Sequence, residues 1–384
     1  MYVKGHLLMK RYIQSAEAVC LGHPDKVADI ISDAILDELI RKDPYTRASI
    51  ETLITTGLVH VSGEISTDGY VDIPEIVRGA LIEIGYTKPE YGFDGYTAGV
   101  ITTISEPSPE ISLGISSTGA GDTSIVIGYA TNETENLMPV ACNIAKGITH
   151  TLDEYRKDEI IPFLRPDGKA IVVVEYEDNM PIRIDSVAVL AQHEPYVSEK
   201  ELRETIEDKV LADILPKELL DEKTKIVINP TGRFVIGGPM ADTGLTGRKT
   251  IADAYGTAAA SGGSAFSGKD PTKIDRSASY IARAIAKYVV SKGIANRCWV
   301  EMAYIIGNTE PVSFKIKLDN DIDTREVEED IRNKFDLSPN GIINFLELRK
   351  PIYKKTAILG HFGVQDDDFK WETIKEMGDL EDGR

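Results

Sequence analysis

Hydrophobic and polar positions follow a pattern that recurs along this chain. Apolar residues return at helical spacing over residues 24–40, alternate with polar residues over 48–55 and 58–66, and return to helical spacing over 73–84. Helical spacing indicates an amphipathic helix, and strict alternation indicates a half-buried strand. This stretch therefore predicts a helix, a hairpin that turns near Gly57, and a second helix.

Two later stretches repeat this order of elements. They predict a helix at 140–148, a hairpin of 170–177 and 182–192, a helix at 202–210, a helix at 274–285, a hairpin of 298–306 and 312–318, and a helix at 327–331. We expect Asp270 and Pro271 to cap the start of the helix at 274, and Gly293 to end it. Further strands are predicted at 124–129 and 225–228.

This alternation predicts an α/β (α+β) fold of three similar βαββαβ-type sandwich units, because the helical and sheet layers bury each other's apolar faces. We place the units at residues 10–108, 119–230 and 231–375. A strand at the end of one unit can pair with the sheet of a neighbouring unit, so the units need not be continuous in sequence.

Composition and charge narrow the class of protein. A formal net charge of -19 argues against a nucleic-acid partner, since phosphate backbones bind to a basic face. An acidic protein can still bind a polyanion if its cations are concentrated in one cleft. No apolar run reaches the roughly 20 residues of a membrane-spanning helix, and no signal peptide is recognisable. We expect a cytoplasmic protein without a membrane partner, whose three separated cysteines are reduced core thiols.

The segment 22–26 (GHPDK) runs from a loop into the start of the first predicted helix. Exposed backbone amides and the helix dipole favour an anion at such a place. Asp25 could hold a magnesium ion against that anion. The alternative is structural, with Asp25 stabilising the helix N-terminus beside an incidental His23.

Other acidic residues have ordinary interpretations. Asp29, Asp33 and Asp37 continue the first helix at a spacing of four, and we expect them to form a solvated acidic ridge. Glu51 and Glu64 lie within the first predicted hairpin. Solvation at a sheet edge is one interpretation of these two residues, and binding of a monovalent cation or an ammonium group is the other.

Three further segments break the periodic pattern with glycine, proline and charge. They are 165–169, 229–249 and 262–275. Dense glycine lets the backbone approach a ligand closely, and Arg233 beside Phe234 offers a cation for a phosphate and a flat face for a base. Residues 263–269 have the spacing of a phosphate loop, but Asp270 stands where that loop has its metal-binding Ser or Thr, and no strand is predicted before it. We therefore reject an ordinary P-loop and predict a phosphate-and-metal site of another design.

Together these segments resemble the S-adenosylmethionine synthetase (methionine adenosyltransferase) family. The motifs that carry the resemblance are GHPDK at 22–26, GAGD at 119–122, GYATNET at 128–134, LRPDGK at 164–169, INPTGRFVIGGPM at 228–240, DTGLTGRK at 242–249 and GGSAFSGKDPTKIDRS at 262–277. They occur in family order and the resemblance extends over residues 17–363. It implies three similar units around a pseudo-threefold axis, and a homodimer with active sites at the interface that commonly pairs into a homotetramer.

The resemblance implies that ATP, L-methionine and water give S-adenosylmethionine, phosphate and diphosphate. The methionine sulfur would attack C5′ of ATP, and the whole tripolyphosphate would leave and then be hydrolysed. A thioether has no proton to lose, so a general base has no task in the first step. Fixed cations and metal would instead stabilise the charge on the leaving oxygen.

By motif position, the resemblance also implies the roles of individual residues. Catalysis would depend on His23, Lys169, Arg248, Lys249 and Lys269. ATP would contact His23, Asp167, Lys169, Arg233, Phe234, Asp242, Arg248, Lys249, Ala265 and Lys269, with Phe234 stacked on the adenine. Methionine would contact Glu64, Asp122, Asp242, Lys273 and Ile306. Two Mg²⁺ ions per site would be bound by Asp25 and Asp275, and K⁺ by Glu51.

The chain departs from the family pattern in the segment expected to gate the active site. Pro107 stands where relatives commonly have a glutamine that contacts methionine, and residues 115–118 make a shorter connection than in typical bacterial members. Leu21, a Glu in many relatives, is a milder change. We expect a short, proline-stiffened gate to alter turnover or methionine selectivity.

Three other functions remain open on this reasoning. The first is an ATP-dependent small-molecule kinase that transfers only the γ-phosphate. The second is a tripolyphosphatase with little synthetase activity, which the altered gate makes worth testing. The third is a non-catalytic nucleotide-sensing oligomer that has kept the motifs.

Overall fold

A computed structural model describes residues 11–107, 119–263 and 265–373 of the chain. Its strands are β1 (Arg11–Val19), β2 (Arg47–Thr55), β3 (Leu58–Ser66), β4 (Gly99–Ser105), β5 (Ser124–Thr131), β6 (Leu164–Glu177), β7 (Met180–His193), β8 (Lys225–Ile228), β9 (Gly244–Leu245), β10 (Arg297–Tyr304) and β11 (Ser313–Leu318).

The α-helices are α1 (Pro24–Lys42), α2 (Ile73–Ile84), α3 (Val140–Lys157), α4 (Glu199–Ile206), α5 (Ala212–Ile214), α6 (Thr250–Asp253), α7 (Ile274–Ser291), α8 (Thr324–Lys334), α9 (Pro339–Phe345) and α10 (Tyr353–Leu359). A π-helical turn at Glu207–Leu211 joins α4 to α5, and 3-10 turns lie at Pro89–Tyr91, Lys217–Leu219, Gly238–Met240 and Lys370–Glu372. The mixed α/β fold predicted from the sequence is confirmed. The proposed unit boundaries stay predictions.

The three sheets share strands in a cyclic way. Their strand orders are β1-β6-β7-β8, β11-β10-β5 and β4-β3-β2-β9. The first strand of the chain thus pairs with β6, the strand that precedes α3 pairs with β10, and the short β9 pairs with β2. Each exchanged strand covers an edge that would otherwise expose unpaired backbone groups. Loops far apart in sequence are brought together by this exchange.

Helices α1 and α7 are buried on nearly all sides. Helix α1 packs against α2, β2 and α10, while α7 packs against β5, β10 and the turn at Lys370–Glu372. A charged residue on a helix that is buried all round must find its partner inside the protein. The acidic side chains of both helices therefore need hydrogen-bond donors or cations from other parts of the chain.

The predicted acidic ridge on the first helix is wrong. Asp29, Asp33 and Asp37 are buried because α10 and the loops that precede α6 and α7 cover this side of α1. Burial raises the pKa of Asp29 to about 7 and that of Asp37 to about 6. Asp33 forms an ion pair with Arg276, which is buried as well.

The predicted start of α7 is also corrected, whereas its end is as expected. Lys273 occupies the N-cap position, and Asp270 and Pro271 lie in the preceding turn. The Asp270 carboxylate accepts the backbone N–H of Ala48 at 2.9 Å, so it fastens the turn to β2 and does not cap the helix. Gly293 follows the last turn with a φ of +70°, a conformation that favours glycine.

The cysteine prediction is confirmed, since all three thiols are free and buried. Over the described ranges, none of the helices combines the length and the apolar character needed to cross a membrane. The predicted gate falls mostly on residues 108–118, outside the described part of the chain.

Candidate active site

The GHPDK segment begins α1 and lies against the segment that carries Lys169. His23 is the N-cap residue of α1, and its Nδ1 accepts the backbone N–H of Asp25 at 3.2 Å. The N–H of Gly22 donates to the carbonyl of Pro166 at 3.1 Å, and a Cβ on Gly22 would lie 2.4 Å from the Cβ of Pro166. Only glycine allows this approach of the loop to the start of β6.

Asp25 directs its carboxylate away from its own helix. Oδ1 accepts the backbone N–H of Leu245 at 3.0 Å, and Oδ2 accepts from Lys249 Nζ at 2.6 Å. Arg248 Nε lies 3.7 Å from Oδ1. Burial opposes the charge on Asp25, but the hydrogen bonds from Lys249 and Leu245 keep its pKa below the usual value. The carboxylate therefore joins α1 to the loop that carries two of the predicted phosphate-binding cations.

His23 is a neutral group at physiological pH. Burial, followed by the charge of Lys249, lowers its pKa to about 4. Because Nδ1 accepts an N–H, the neutral ring carries its proton on Nε2. The imidazole can therefore donate one hydrogen bond without adding a charge to the surrounding cations.

Lys169 belongs to the same cluster through strand pairing. It lies opposite Val19 in the antiparallel pair of β1 and β6, and its ammonium group forms an ion pair with Glu17. Sequence reasoning did not single out Glu17. Only the pairing of β1 with β6 shows that Glu17 lies next to Lys169, and this pairing could not be predicted from the sequence.

Glu17 also lines a cleft of about 690 Å³ between β1 and the glycine-rich loops. Arg248, Lys249, Gly263 and Ala265 contribute to the same lining. The walls thus contain two predicted phosphate-binding cations, together with the glycine-rich backbone that the sequence placed near a ligand.

A second charged cluster lies at the start of α7. Lys269 forms an ion pair with Asp275, and Ser124 Oγ donates to the other carboxylate oxygen of Asp275 at 2.5 Å. Asp122 Oδ1 accepts the backbone N–H of Ile274 at 2.9 Å. Burial, with the nearby charge of Asp275, raises the pKa of Asp122 to about 6.

Glu64 and Glu51 lie on the sheet that borders this second cluster. Ser49 of β2 pairs with Glu64 of β3 on one side and forms a bridge with Lys269 on the other. Residues directly opposite each other in a sheet share a face, so Glu64 and Lys269 are on the same face. Glu51, two residues further along β2, shares that face and is exposed, as Glu64 is.

The predicted nucleotide-pocket residues form a third group. Asp167 accepts the backbone N–H of Gly238 at 2.7 Å, and burial raises its pKa to about 7. Gln192, which sequence reasoning missed, receives the N–H of Asp167 at 3.1 Å and donates to Val235 O at 3.0 Å. The half-buried Phe234 precedes Val235, so this buried amide ties the predicted adenine-stacking loop to β6 and β7.

The residues predicted to bind the substrate methionine do not all lie together within one chain. Ile306 donates its N–H to Thr123 Oγ1 at 3.0 Å, next to Asp122. Asp242 instead lies close enough to Asp167 to influence its pKa. Among the described residues, the hydrogen bonds and ion pairs do not join Asp242 to the Asp122 cluster.

Comparison with known proteins identifies the family. The sequence models for the N-terminal, central and C-terminal domains of S-adenosylmethionine synthetase match residues 11–109, 117–234 and 236–373. The chain belongs to the S-adenosylmethionine synthetase family. This finding confirms the resemblance seen in the sequence motifs and places the chain among the methionine adenosyltransferases.

Relatives in this family are similar over nearly their whole length. The S-adenosylmethionine synthase of Aquifex aeolicus (strain VF5) is 54% identical over 372 residues, which cover 96% of this chain and 98% of that protein. The S-adenosylmethionine synthases of Clostridium tetani and Pseudothermotoga lettingae are 48% and 49% identical, over 96% and 97% of this chain and 99% and 98% of theirs. Members of the synthetase family use ATP and methionine as substrates, together with metal ions.

The carboxylates of the candidate site are separate donors. Within the described ranges, no group of three or more His, Cys, Asp or Glu side chains could hold a metal ion by itself. Asp25 and Asp275 each have a lysine partner and lie in different clusters. Such single carboxylates fit Mg²⁺, which is commonly bound by one or two carboxylates together with substrate phosphates.

Proposed function

We propose that this chain forms S-adenosyl-L-methionine from ATP and L-methionine by attack of the methionine sulfur on C5′ of ATP. Tripolyphosphate leaves and, before release, is hydrolysed with one water to phosphate and diphosphate. The observation that carries this proposal is the arrangement of His23, Lys169, Lys249 and Lys269, which belong to four chain segments. The pairing of β1 with β6, of β9 with β2 and of Ser49 with Lys269, together with the bond between Lys249 and Asp25, connects these segments.

The chemistry of the two reacting groups explains this arrangement. The sulfur attacks as a neutral thioether, so no side chain has to remove a proton. Negative charge develops on the oxygen that leaves C5′, and donors fixed in advance are most effective against such charge. The Nε2–H of neutral His23 would donate to this oxygen, while Lys169, Arg248, Lys249 and Lys269 would bind the phosphates.

Asp25 and Asp275 are the residues that we expect to hold Mg²⁺, two ions per site. When bound, the metal would neutralise phosphate charge and orient the triphosphate. In the structure, Lys249 forms an ion pair with Asp25, and Lys269 forms one with Asp275. Substrate phosphates would draw both lysines away and leave a carboxylate oxygen to each metal ion. For K⁺ we propose Glu51, an exposed carboxylate on the face that also carries Lys269.

The other proposed contacts divide between the two substrates. Asp167, Arg233, Phe234, Asp242 and Ala265 would bind the nucleotide. Glu64 and Asp122 would bind the methionine ammonium group and Lys273 its carboxylate, with Asp242 and Ile306 completing that pocket. Among the described residues, no hydrogen bond or ion pair joins Asp242 to Asp122 within one chain, which supports a site that needs a second subunit.

We propose a homodimer with active sites at the interface, paired into a homotetramer. Large apolar side chains on three sheets support this assembly. Ile13 on β1, Ile101 on β4 and Ile125 on β5 are exposed to 62%, 51% and 65%. Exposed apolar residues of this size on several sheets are typical of faces that bury each other on association.

Incubation with ATP, L-methionine, Mg²⁺ and K⁺, followed by chromatography of the products, tests the proposal. We expect a sulfonium product together with phosphate and diphosphate, and no ADP. ADP as the only nucleotide product would establish a kinase, and binding of ATP without turnover a sensor. Hydrolysis of added tripolyphosphate without a sulfonium product would establish a tripolyphosphatase.

A further inference from the structure

Four aspartates form a row along α1, which we call the aspartate row: Asp25, Asp29, Asp33 and Asp37. A spacing of four residues keeps successive side chains on nearly the same side of a helix, about 6 Å apart along its axis. All four are buried. Burial of four carboxylates on one helix is costly unless each accepts hydrogen bonds.

Each member of the row accepts backbone N–H groups from another part of the chain. Asp29 Oδ1 accepts from Gly247 at 2.8 Å, and Asp33 Oδ1 accepts from Gly268 at 2.8 Å. Gly247 belongs to the Arg248 loop (residues 246–249), and Gly268 belongs to the Lys269 loop (residues 265–270). Both aspartates therefore bind the backbone immediately next to a proposed phosphate-binding cation.

The last member of the row has a different partner. Asp37 accepts the backbone N–H groups of Tyr353 and Lys354 at 2.8 and 2.9 Å. These two residues begin α10, to which neither the sequence motifs nor the resemblance assigns a site residue. Asp37 is thus a natural control, since it has the same helix, burial and type of bond as Asp29 but does not hold a ligand-binding loop.

Asp33 holds its loop through a second residue as well. Arg276 of α7 donates to both carboxylate oxygens of Asp33 at 2.8 Å, and its Nη1 also donates to the carbonyl of Lys269 at 3.2 Å. The backbone of the Lys269 loop is therefore held at the N–H of Gly268 and at the carbonyl of Lys269. A bidentate pair of this kind fixes direction as well as distance.

The two held glycines are closely packed against neighbouring segments. Gly247 and Gly268 have φ values of +82° and +79°, which side chains rarely allow. A Cβ on Gly247 would lie 2.3 Å from Ala265 Cβ, and one on Gly268 would lie 1.9 Å from Ile50 O. Each loop is thus held by an aspartate on one side and packed against neighbouring atoms on another.

We propose that Asp29 and Asp33 are positioning residues that fix the Arg248 loop and the Lys269 loop on α1, so that Arg248, Lys249 and Lys269 are held in place for phosphate binding. An anchored backbone limits the positions that the side chain of each cation can reach. Electrostatic stabilisation is effective only where the donors are preorganised. This inference rests on the proposed function for its ligand, while the anchoring itself is independent of the reaction.

The test compares Asp29→Ala with Asp37→Ala in the full-length chain. Both changes leave buried backbone N–H groups without an acceptor, so we expect both to lower the melting temperature. We expect Asp29→Ala alone to lower kcat for S-adenosylmethionine formation about 10²-fold, the scale reported for small displacements of positioning groups. It should also weaken tripolyphosphate binding, measured by calorimetry, about tenfold, whereas Asp37→Ala should change either quantity less than about threefold.

A conservative variant separates the hydrogen bond from the charge. In Asp29→Asn the amide oxygen can still accept the N–H of Gly247, and we expect most of the turnover and the tripolyphosphate affinity to return. If Asp29→Ala does not yield folded protein, Asp29→Ser replaces it. The serine hydroxyl can bond to the helix carbonyl four residues back, but it is too short to reach Gly247.

The outcomes are distinct. Equal losses in Asp29→Ala and Asp37→Ala would overturn the proposal, because the effect would then be one of stability alone. An impaired Asp29→Asn would overturn it as well, because the hydrogen bond would not be the cause. A wild-type chain that binds tripolyphosphate without forming S-adenosylmethionine would refute the proposed function, yet the affinities of the variants would still decide the positioning role.

Discussion

Helix α7 carries ion pairs at both ends, and the two ends differ in what surrounds them. At the start, Asp275 pairs with Lys269 beside the proposed site, and their side chains are exposed to 11% and 14%. In the second half, Arg283 and Lys287 both pair with Glu372, and none of these three side chains is exposed by more than 3%.

Glu372 is bound from every side by the protein itself. It accepts from Arg283 Nε at 3.0 Å, from Lys287 Nζ at 2.6 Å and from the backbone N–H of Gly363 at 2.8 Å. Burial opposes its charge, yet Arg283 and Lys287 keep its pKa below the usual value. The partners of Glu372 are therefore supplied by the protein and lie out of contact with solvent.

The pair at the start of α7 is open to exchange. Both side chains retain some contact with solvent, and the proposed triphosphate and metal each offer a new partner of opposite charge to one member. A charged pair is therefore available for function when solvent, and hence a ligand, can reach it. A pair sealed in the core serves stability or specificity instead.

Removal of the sealed carboxylate should have the largest effect. We expect Glu372→Ala to lower the free energy of unfolding by about 3–5 kcal/mol, because Arg283 and Lys287 would be left buried without a counter-ion. Urea denaturation measures this change. Glu204→Ala, which breaks an exposed ion pair with Lys200 on α4, is the matched control and should leave the midpoint unchanged. A decrease in the free energy of unfolding of less than about 1 kcal/mol for Glu372→Ala would show that solvent reaches the charges of Arg283 and Lys287.

Removal of Lys269, the cation of the exchangeable pair, should impair the reaction and leave the fold intact. We expect Lys269→Met to lower kcat about 10²–10³-fold, since it removes a fixed charge next to the leaving group. Steady-state kinetics and a thermal melt measure the two properties, and the melting temperature should stay within about 3 °C. Lys200→Met, at an exposed position on α4, is the control. Near-normal turnover in Lys269→Met would exclude a catalytic role for this lysine.

Substitution of the neutral donor should have a smaller effect than loss of a charge. We expect His23→Asn to lower kcat about 10²-fold, the lower end for loss of one donor to a developing oxyanion. Because the pKa of His23 is lowered to about 4, the ring stays neutral between pH 6 and 8. The ratio of wild-type to variant kcat/KM for methionine should therefore be constant over that range. A ratio that rises toward pH 6 would mean that the protonated ring is the active form.

Asp167 is a third case, a buried carboxyl without an ion pair in the described part of the chain. Burial raises its pKa from 3.8 to about 7 in the folded state. Its contribution to stability is full below pH 4 and is lost as the pH rises through 7. We expect Asp167→Asn to stabilise the chain by about 2 kcal/mol at pH 8 and by nothing measurable at pH 4.

Urea denaturation of wild type and Asp167→Asn at both pH values checks this expectation. Asn keeps an acceptor for the N–H of Gly238, so the comparison isolates the cost of the charge. Equal stability of the two proteins at pH 8 would show that the carboxylate is solvated in the folded state. It would then resemble the open pair at the start of α7.

Much of the fold was accessible from sequence because local periodicity and turn chemistry specify it. The helix predicted at 73–84 and the strand predicted at 58–66 are observed as Ile73–Ile84 and Leu58–Ser66. The predicted ends of elements were too early where polar residues are buried in the structure, because the sequence pattern treats such residues as exposed. The helix that begins at Val140 continues to Lys157, well past the predicted end at residue 148, with Thr149 and Asp153 turned inward.

The site residues could be named from motifs, but their relations could not. Glycine, proline and charge marked the loops around His23, Arg248 and Lys269 as unusual. That Asp25 would meet Lys249, and that Glu17 would meet Lys169, depends on pairing between strands and loops more than 150 residues apart. No local pattern carries such information, since partners distant in sequence are selected only when the sheets assemble.

The aspartates of α1 show where the division lies. Their spacing of four already places them on one side of a helix, because this spacing is a property of helical geometry. It could not determine whether that side faces water or other chain segments. The tertiary structure decided this by placing α10 and the two glycine-rich loops over the row, where their backbone N–H groups compensate the carboxylates for the loss of water.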